Sequence, residues 1–144
     1  MRTRDILERK GREVVTVSPG LTVLEAMRVL VEHNIGAVVV VEGAEIRGIL
    51  TERDVLRLGA VKPEKLATTL VGEAMTVDLL VGVADDDIDR VMGIMTENRI
   101  RHLPIVDGKT LKGILSIGDV VNALRKETEV ENRYLRSYIQ GGVR

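Results

Sequence analysis

Apolar residues along this chain alternate between two spacings. Short β-branched or apolar runs at Val14–Val17, Ala37–Val41, Ile46–Leu50, Leu79–Val83, Leu103–Val106 and Leu111–Leu115 predict strands. Between them the period lengthens to that of a helix. Val23, Ala26, Met27 and Leu30 follow Thr22, and Ile88, Val91, Met92 and Met95 follow Asp87. Both leading residues are good helix N-caps, because a short side-chain oxygen can accept a hydrogen bond from a free first-turn N–H. Glu42-Gly43 and Asp107-Gly108 are tight-turn signals that close each pair of later strands into a hairpin. Thr51 and Ser116 then cap second helices, running to about Leu58 and Lys126.

The order β-α-β-β-α thus occurs twice, and the two occurrences are copies. Gly48-Ile49-Leu50-Thr51-Glu52-Arg53-Asp54-Val55 aligns with Gly113-Ile114-Leu115-Ser116-Ile117-Gly118-Asp119-Val120 at an offset of 65 residues. The offset holds without a gap from Val14–Val55 against Leu79–Val120, with ten identities in 42 pairs. A register kept through a whole unit marks a tandem duplication. Neither copy, at roughly 60 residues, buries enough surface to be comfortable alone. Packing the two against each other about a pseudo-twofold axis, sheet to sheet, answers that and predicts an α/β (α+β) architecture. The expected divisions are residues 1–60 for the first repeat, 61–70 for a linker containing Pro63, 71–126 for the second repeat, and 127–144 for a charged terminal helix and tail. Val71–Met75 is expected as a short helical lead-in to the second copy, and Arg4–Leu7 as its counterpart for the first.

Composition narrows the chemistry. With 21 Lys+Arg against 22 Asp+Glu the net charge is −1, without the basic excess of a general nucleic-acid or anionic-membrane binder. Phe and Trp are absent and Tyr134 and Tyr138 are the only aromatics, so base stacking by a single-strand reader is not expected. The absence of Cys excludes disulfides, thiol catalysis and thiolate metal sites. The longest apolar stretch, Ala37–Val41, is too short to span a bilayer, and no apolar run behind Met1–Asp5 suggests a signal peptide, so the expected compartment is the cytoplasm.

The repeated Gly-Ile-Leu-[Thr/Ser]-x-x-Asp segment carries the candidate chemistry. A strand ends, a hydroxyl residue caps the next helix, and free N–H groups with the positive end of the helix dipole face the space before it. Phosphate could sit there, with the Asp three residues on accepting from ribose hydroxyls. The alternative is plain capping, in which Thr or Ser and the Asp satisfy one another. Other features are weaker. Asp85-Asp86-Asp87 could hold Mg²⁺, but Asp87 is the expected cap and its neighbours suit the helix dipole. Two separated histidines, His33 and His102, do not make a transition-metal site. A Ser116/His102/Asp119 triad lacks a nucleophile elbow and oxyanion hole, and neither GxGxxG nor GxxxxGK[ST] occurs. Tyr134 and Tyr138, four apart on the terminal helix, suit packing on the parent domain or a dimer contact.

The repeat, its hairpins and the paired motifs resemble a pair of cystathionine-β-synthase (CBS) domains, a Bateman module, from about Thr3 to Lys126. Met95–Gly108 is especially similar to the family pattern, and the chain resembles the stand-alone, single-pair type. The resemblance implies a non-catalytic regulatory sensor that binds an adenosyl compound (AMP, ADP, ATP, NAD or S-adenosylmethionine) in clefts mixing the two repeats. One implied site combines Ile114, Ser116 and Asp119 with Val15, Ile35, Gly36 and Ala37; Arg101 and His102 stand where the family often places phosphate-binding groups. The other combines Ile49, Thr51, Arg53 and Asp54 with Leu80, Ile100, Arg101 and His102. The two Asp residues would take ribose, and Ser116 and Thr51 phosphate. Both sites are expected to accept an anionic nucleotide, favoured over S-adenosylmethionine by Arg53, Arg101 and His102. A homodimer is likewise implied, with vestigial clefts in a pure scaffold as the rival reading.

Overall fold

The computed structural model describes residues 1–11 and 13–139, with all side chains among them except those of Tyr134 and residues 136–139. The contacts expected of Tyr134 and Tyr138 therefore lie outside the described residues. The chain is mixed α+β. Its order is α1 (Thr3–Lys10), β1 (Thr16–Val17), α2 (Val23–His33), β2 (Ala37–Glu42), β3 (Glu45–Thr51), α3 (Glu52–Val61), α4 (Val71–Ala74), α5 (Ile88–Asn98), β4 (His102–Asp107), β5 (Thr110–Ser116) and α6 (Ile117–Ile139). Among the described residues no helix is long and apolar enough to cross a membrane.

The duplication persists down to backbone irregularities. Both hairpins shift register at the same place, between Val40 and Val41 and between Ile105 and Val106. Both first helices end on a left-handed residue, Asn34 and Arg99, and both turns on a left-handed glycine, Gly43 and Gly108. Glycine suits these turns because it reaches positive φ without a Cβ clash. Strands β3 and β5 meet at Glu45↔Thr110, joining the hairpins into one sheet of order β1-β2-β3-β5-β4.

Two strand boundaries differ from the sequence expectation. Of Leu79–Val83 only Gly82 pairs, in a single parallel bridge to Ile105; the chain then turns at Val83–Asp86, where the Asp86 N–H donates to Val83 O at 3.1 Å and Asp86 Oδ2 accepts from the Val83 N–H at 2.9 Å. The first copy's strand, expected from Val14, is confined to Thr16–Val17. The second helix of copy two and the charged terminal helix expected to continue it are one helix, α6, ending at Ile139, since no Gly or Pro interrupts it after Gly118.

Each repeat has its own core, and each core is completed by a lead-in from elsewhere in the chain. Val17, Ala26, Leu30, Val38, Val40 and Leu50 of the first repeat enclose Val71 of α4. Ile88, Val91, Met95, Leu103, Ile105 and Leu115 of the second enclose Ile6 and Leu7 of α1. Hydrogen bonds fix both placements: Val71 N–H to Leu21 O at 2.7 Å, and Thr3 N–H to Asp86 O at 2.9 Å. The helix before the first repeat therefore docks on the second, and the helix before the second docks on the first. The acidic run is spent on the same docking. Arg4 pairs with Asp85, the Arg2 guanidinium donates to the Asp85 carbonyl, and the Thr3 hydroxyl donates to the Asp86 carbonyl. Asp87 is the N-cap of α5 by position, although its side chain makes no capping hydrogen bond.

Candidate ligand-binding site

Thr51 ends β3 and caps α3. Its hydroxyl accepts from the Asp54 N–H at 3.3 Å, and the Asp54 carboxylate accepts from the Thr51 N–H at 2.9 Å. The Glu52 N–H donates to Gly36 O at 3.0 Å, tying this helix start to the first turn of β2. Copy two repeats the device: Asp119 N–H to Ser116 Oγ at 3.1 Å, Ser116 N–H to Asp119 Oδ2 at 2.9 Å, and Ile117 N–H to Arg101 O at 2.8 Å. Capping is thus physically real in both copies. It also occupies part of each Asp carboxylate.

A cleft of about 640 Å³ opens beside the first of these motifs. Ile49, Thr51 and Arg53 form one wall, and Leu80, Ile100, Arg101 and His102 the other. All of these belong to the second implied site, and Asp54 joins them through Thr51 and through the Thr76 hydroxyl, which donates to Asp54 Oδ1 at 3.2 Å. Gly36, assigned from the sequence to the other site, lines this cleft instead, with His102 Cε1 3.7 Å from where its Cβ would stand. Glu52, Thr76, Asp78 and Arg99 line it too and escaped the sequence reading. The first two adjoin recognised positions. Asp78 and Arg99 lie in irregular backbone, where no periodicity signals a direction.

Arg53, Arg99 and Arg101 line this space with Glu52 and Asp78, and the Asp54 carboxylate lies behind Thr51, so cations and carboxylates balance. Leu80, 44% exposed, offers an apolar surface on the opposite wall. His102 is half-buried, and burial pushes its imidazole below the ordinary histidine value of 6.5. The Lys10 and Arg101 cations act in the same direction, while Glu52 and Asp119 oppose them.

The companion site is built differently. Val15 and Ile35 pack against the first core, and Ala37 is buried in β2 opposite Thr51. Ile114, Ser116 and Asp119 come together at the end of β5, but their neighbour is Lys10 of α1. Its ammonium donates to Ile114 O at 2.9 Å and to Asp119 Oδ2 at 2.7 Å. Burial alone would raise the Asp119 carboxyl, yet the hydrogen bonds from Lys10 and Ser116 and the Lys10 charge outweigh it and hold the group below 3.8.

A family model described as the CBS domain matches residues 4–60 and 71–126, the two repeats. The chain belongs to the CBS-domain family. As a CBS pair it is 38% identical over 147 residues to the CBS domain-containing protein CBSX3, mitochondrial, of Arabidopsis thaliana, covering 96% of this chain and 71% of that protein. It superposes on the CBS-domain containing protein ATU1752 from Agrobacterium tumefaciens with a TM-score of 0.80 at 41% identity, covering 85% and 98% of the two chains. The CBS domain pair of protein MJ0100, solved with 5′-methylthioadenosine and S-adenosyl-L-methionine, has the same fold: TM-score 0.77 at 24% identity, over 88% and 98%.

Proposed function

We propose that this CBS pair is a non-catalytic regulatory module that binds an adenine nucleotide in the Thr51–Asp54 cleft. The observation that carries it is the convergence on one cleft of a capped helix start, an apolar wall at Leu80 and three guanidinium groups, with the Asp54 carboxylate hydrogen-bonded to the lining residues Thr51 and Thr76. The Thr51 hydroxyl and the Arg53 guanidinium suit phosphate, and Asp54 suits the ribose hydroxyls. Ile100 and Leu80 suit the flat face of adenine. The phosphates of AMP, ADP, ATP or NAD suit the Arg53, Arg99 and Arg101 guanidinium groups better than S-adenosylmethionine, whose sulfonium they would repel. Regulation then consists of ligand favouring one arrangement of the pair, or of its partner, over another. A homodimer formed through exposed apolar helix residues such as Val31 and Leu56 belongs to the same proposal, as does action in the cytoplasm.

Calorimetric titration of nucleotide-stripped protein with AMP, ADP, ATP, NAD and S-adenosylmethionine tests it. Micromolar binding of at least one nucleotide is expected, weakened tenfold or more by Asp54→Ala, the loss of about one charge-assisted hydrogen bond. Arg53→Gln, which leaves the cap intact, should weaken ATP more than AMP. Silence from the whole panel leaves a scaffold with an empty cleft, the reading favoured by the satisfied Thr51–Asp54–Thr76 hydrogen bonds.

A further inference from the structure

The two helix starts carry the same motif, yet different residues stand on them. Lys10 reaches the end of β5 and Asp119. In the other lead-in Met75 lies over Gly48 as Leu7 lies over Gly113, so the residue three further on that corresponds to Lys10 is Asp78, a carboxylate that lines the Asp54 cleft. One carboxylate oxygen of Asp119 takes both the Lys10 ammonium and the Ser116 N–H. Asp54 meets only neutral donors, the Thr51 N–H and the Thr51 and Thr76 hydroxyls. Both Asp54 oxygens are thus engaged, but by hydroxyls and one N–H that carry no charge, whereas Asp119 Oδ2 is paired with an ammonium.

Lys10 is not a loose surface side chain that happens to lie close. It is the last residue of α1, and α1 is pinned to the second repeat by buried Ile6, Leu7 and Thr3 and by the ion pair of the Met1 amino group with Glu127 at 2.9 Å. Its second bond, to the Ile114 carbonyl, fixes the ammonium at the strand end facing the helix start. A ribose diol that uses both oxygens of Asp119 would have to replace the charge-assisted hydrogen bond at Oδ2 with a neutral one, which is about half as strong.

We infer that Lys10 is the residue that makes the two clefts unequal: it occupies the ribose-accepting carboxylate of the first and leaves the Asp54 cleft as the one nucleotide site per chain. This rests on the adenine-nucleotide reading above for the nature of the ligand. Lys10 thereby sets stoichiometry.

The test is calorimetric titration of the full chain with AMP and with ATP, for the native protein, Lys10→Met, and Lys10→Met with Asp119→Ala. Native protein is expected to bind one nucleotide per chain, and Lys10→Met two. The gained event should disappear with Asp119→Ala, and the first cleft should tighten by about 10- to 100-fold when its competitor is removed. Two equal sites in the native protein, or a single site in a folded Lys10→Met variant, would overturn the inference while leaving the nucleotide reading intact. Absence of binding in every variant would instead overturn the reading, and this inference with it. A thermal-melting cycle of Lys10→Met against Asp119→Asn needs no ligand. The double variant should melt close to the less stable single variant, and strictly additive losses would show that the pair is not formed.

Discussion

His102 and Asp119 are the two side chains whose ionisation the fold displaces most tellingly, and both are displaced downward. For a group with a depressed folded value, the unfolded chain takes up the proton first as pH falls, so stability decreases with acidification. His102 begins to act below its ordinary 6.5, and Asp119 below its ordinary 3.8. The Met1 amino group is shifted the other way, raised above 8.0 by its hydrogen bond to Glu127; its contribution is lost as pH rises through the folded value. Melting temperature plotted against pH should therefore fall in two acid steps. His102→Gln should remove the step that begins near neutrality and leave the lower one. Lys10→Met should shrink or abolish the lower step, since Asp119 loses the ammonium that holds its folded value below the unfolded one. A phosphate beside Arg101 and His102 would favour the imidazolium, so nucleotide affinity should fall as pH rises from about 6 to 8, and do so less in His102→Gln.

At the scale of elements, close approaches decide what the lead-ins tolerate. A Cβ on Gly48 would stand 2.8 Å from the Thr76 carbonyl oxygen, part of the backbone bridge between Ile49 and Thr76. A Cβ on Gly113 would meet the Leu7 side-chain end at 2.6 Å. Backbone yields less readily than a leucine rotamer. Gly48→Ala should therefore cost about 1–3 kcal/mol, the usual range for overpacking, and Gly113→Ala less; urea unfolding of the two variants measures both. The same contacts explain what could be read in advance. The hairpins, α2 and the paired motifs follow local rules of period, turn and cap, and they repeat, so each copy corroborates the other. Which repeat receives α1 is a matter of contacts between Leu7 and Gly113, far apart in the chain, and Arg4–Leu7 resembles Val71–Ala74 too closely for the sequence to choose. Thr76 and Lys10 entered their helix starts through that exchange, which is why neither was visible beforehand. Gly36 moved to the other cleft for a related reason: it sits at the seam between the repeats, beside His102.

The whole molecule leaves apolar residues on its helical faces, including Val31 at 81%, Leu56 at 73%, Val61 at 74% and Val121 at 49% exposure. A second copy covering them is the occupant proposed above. Sedimentation should give about twice the mass of the chain, and Leu56→Glu should shift the population toward monomer without lowering the affinity per chain of the Asp54 cleft. A monomer at every accessible concentration would dismiss the dimer.

The exchange of lead-in helices also has a history within each molecule's synthesis. Helix α1 leaves the ribosome before either repeat, but β5, on which Leu7 rests, follows about a hundred residues later. At translation rates of about 5–20 residues per second, that interval is on the order of 5–20 s. The first repeat can acquire α4 and close its core well before then, while Ile6 and Leu7 still have nothing to bury against. The beginning of the chain is thus among the last parts to fold, and Lys10 cannot reach Asp119 until the second repeat is complete.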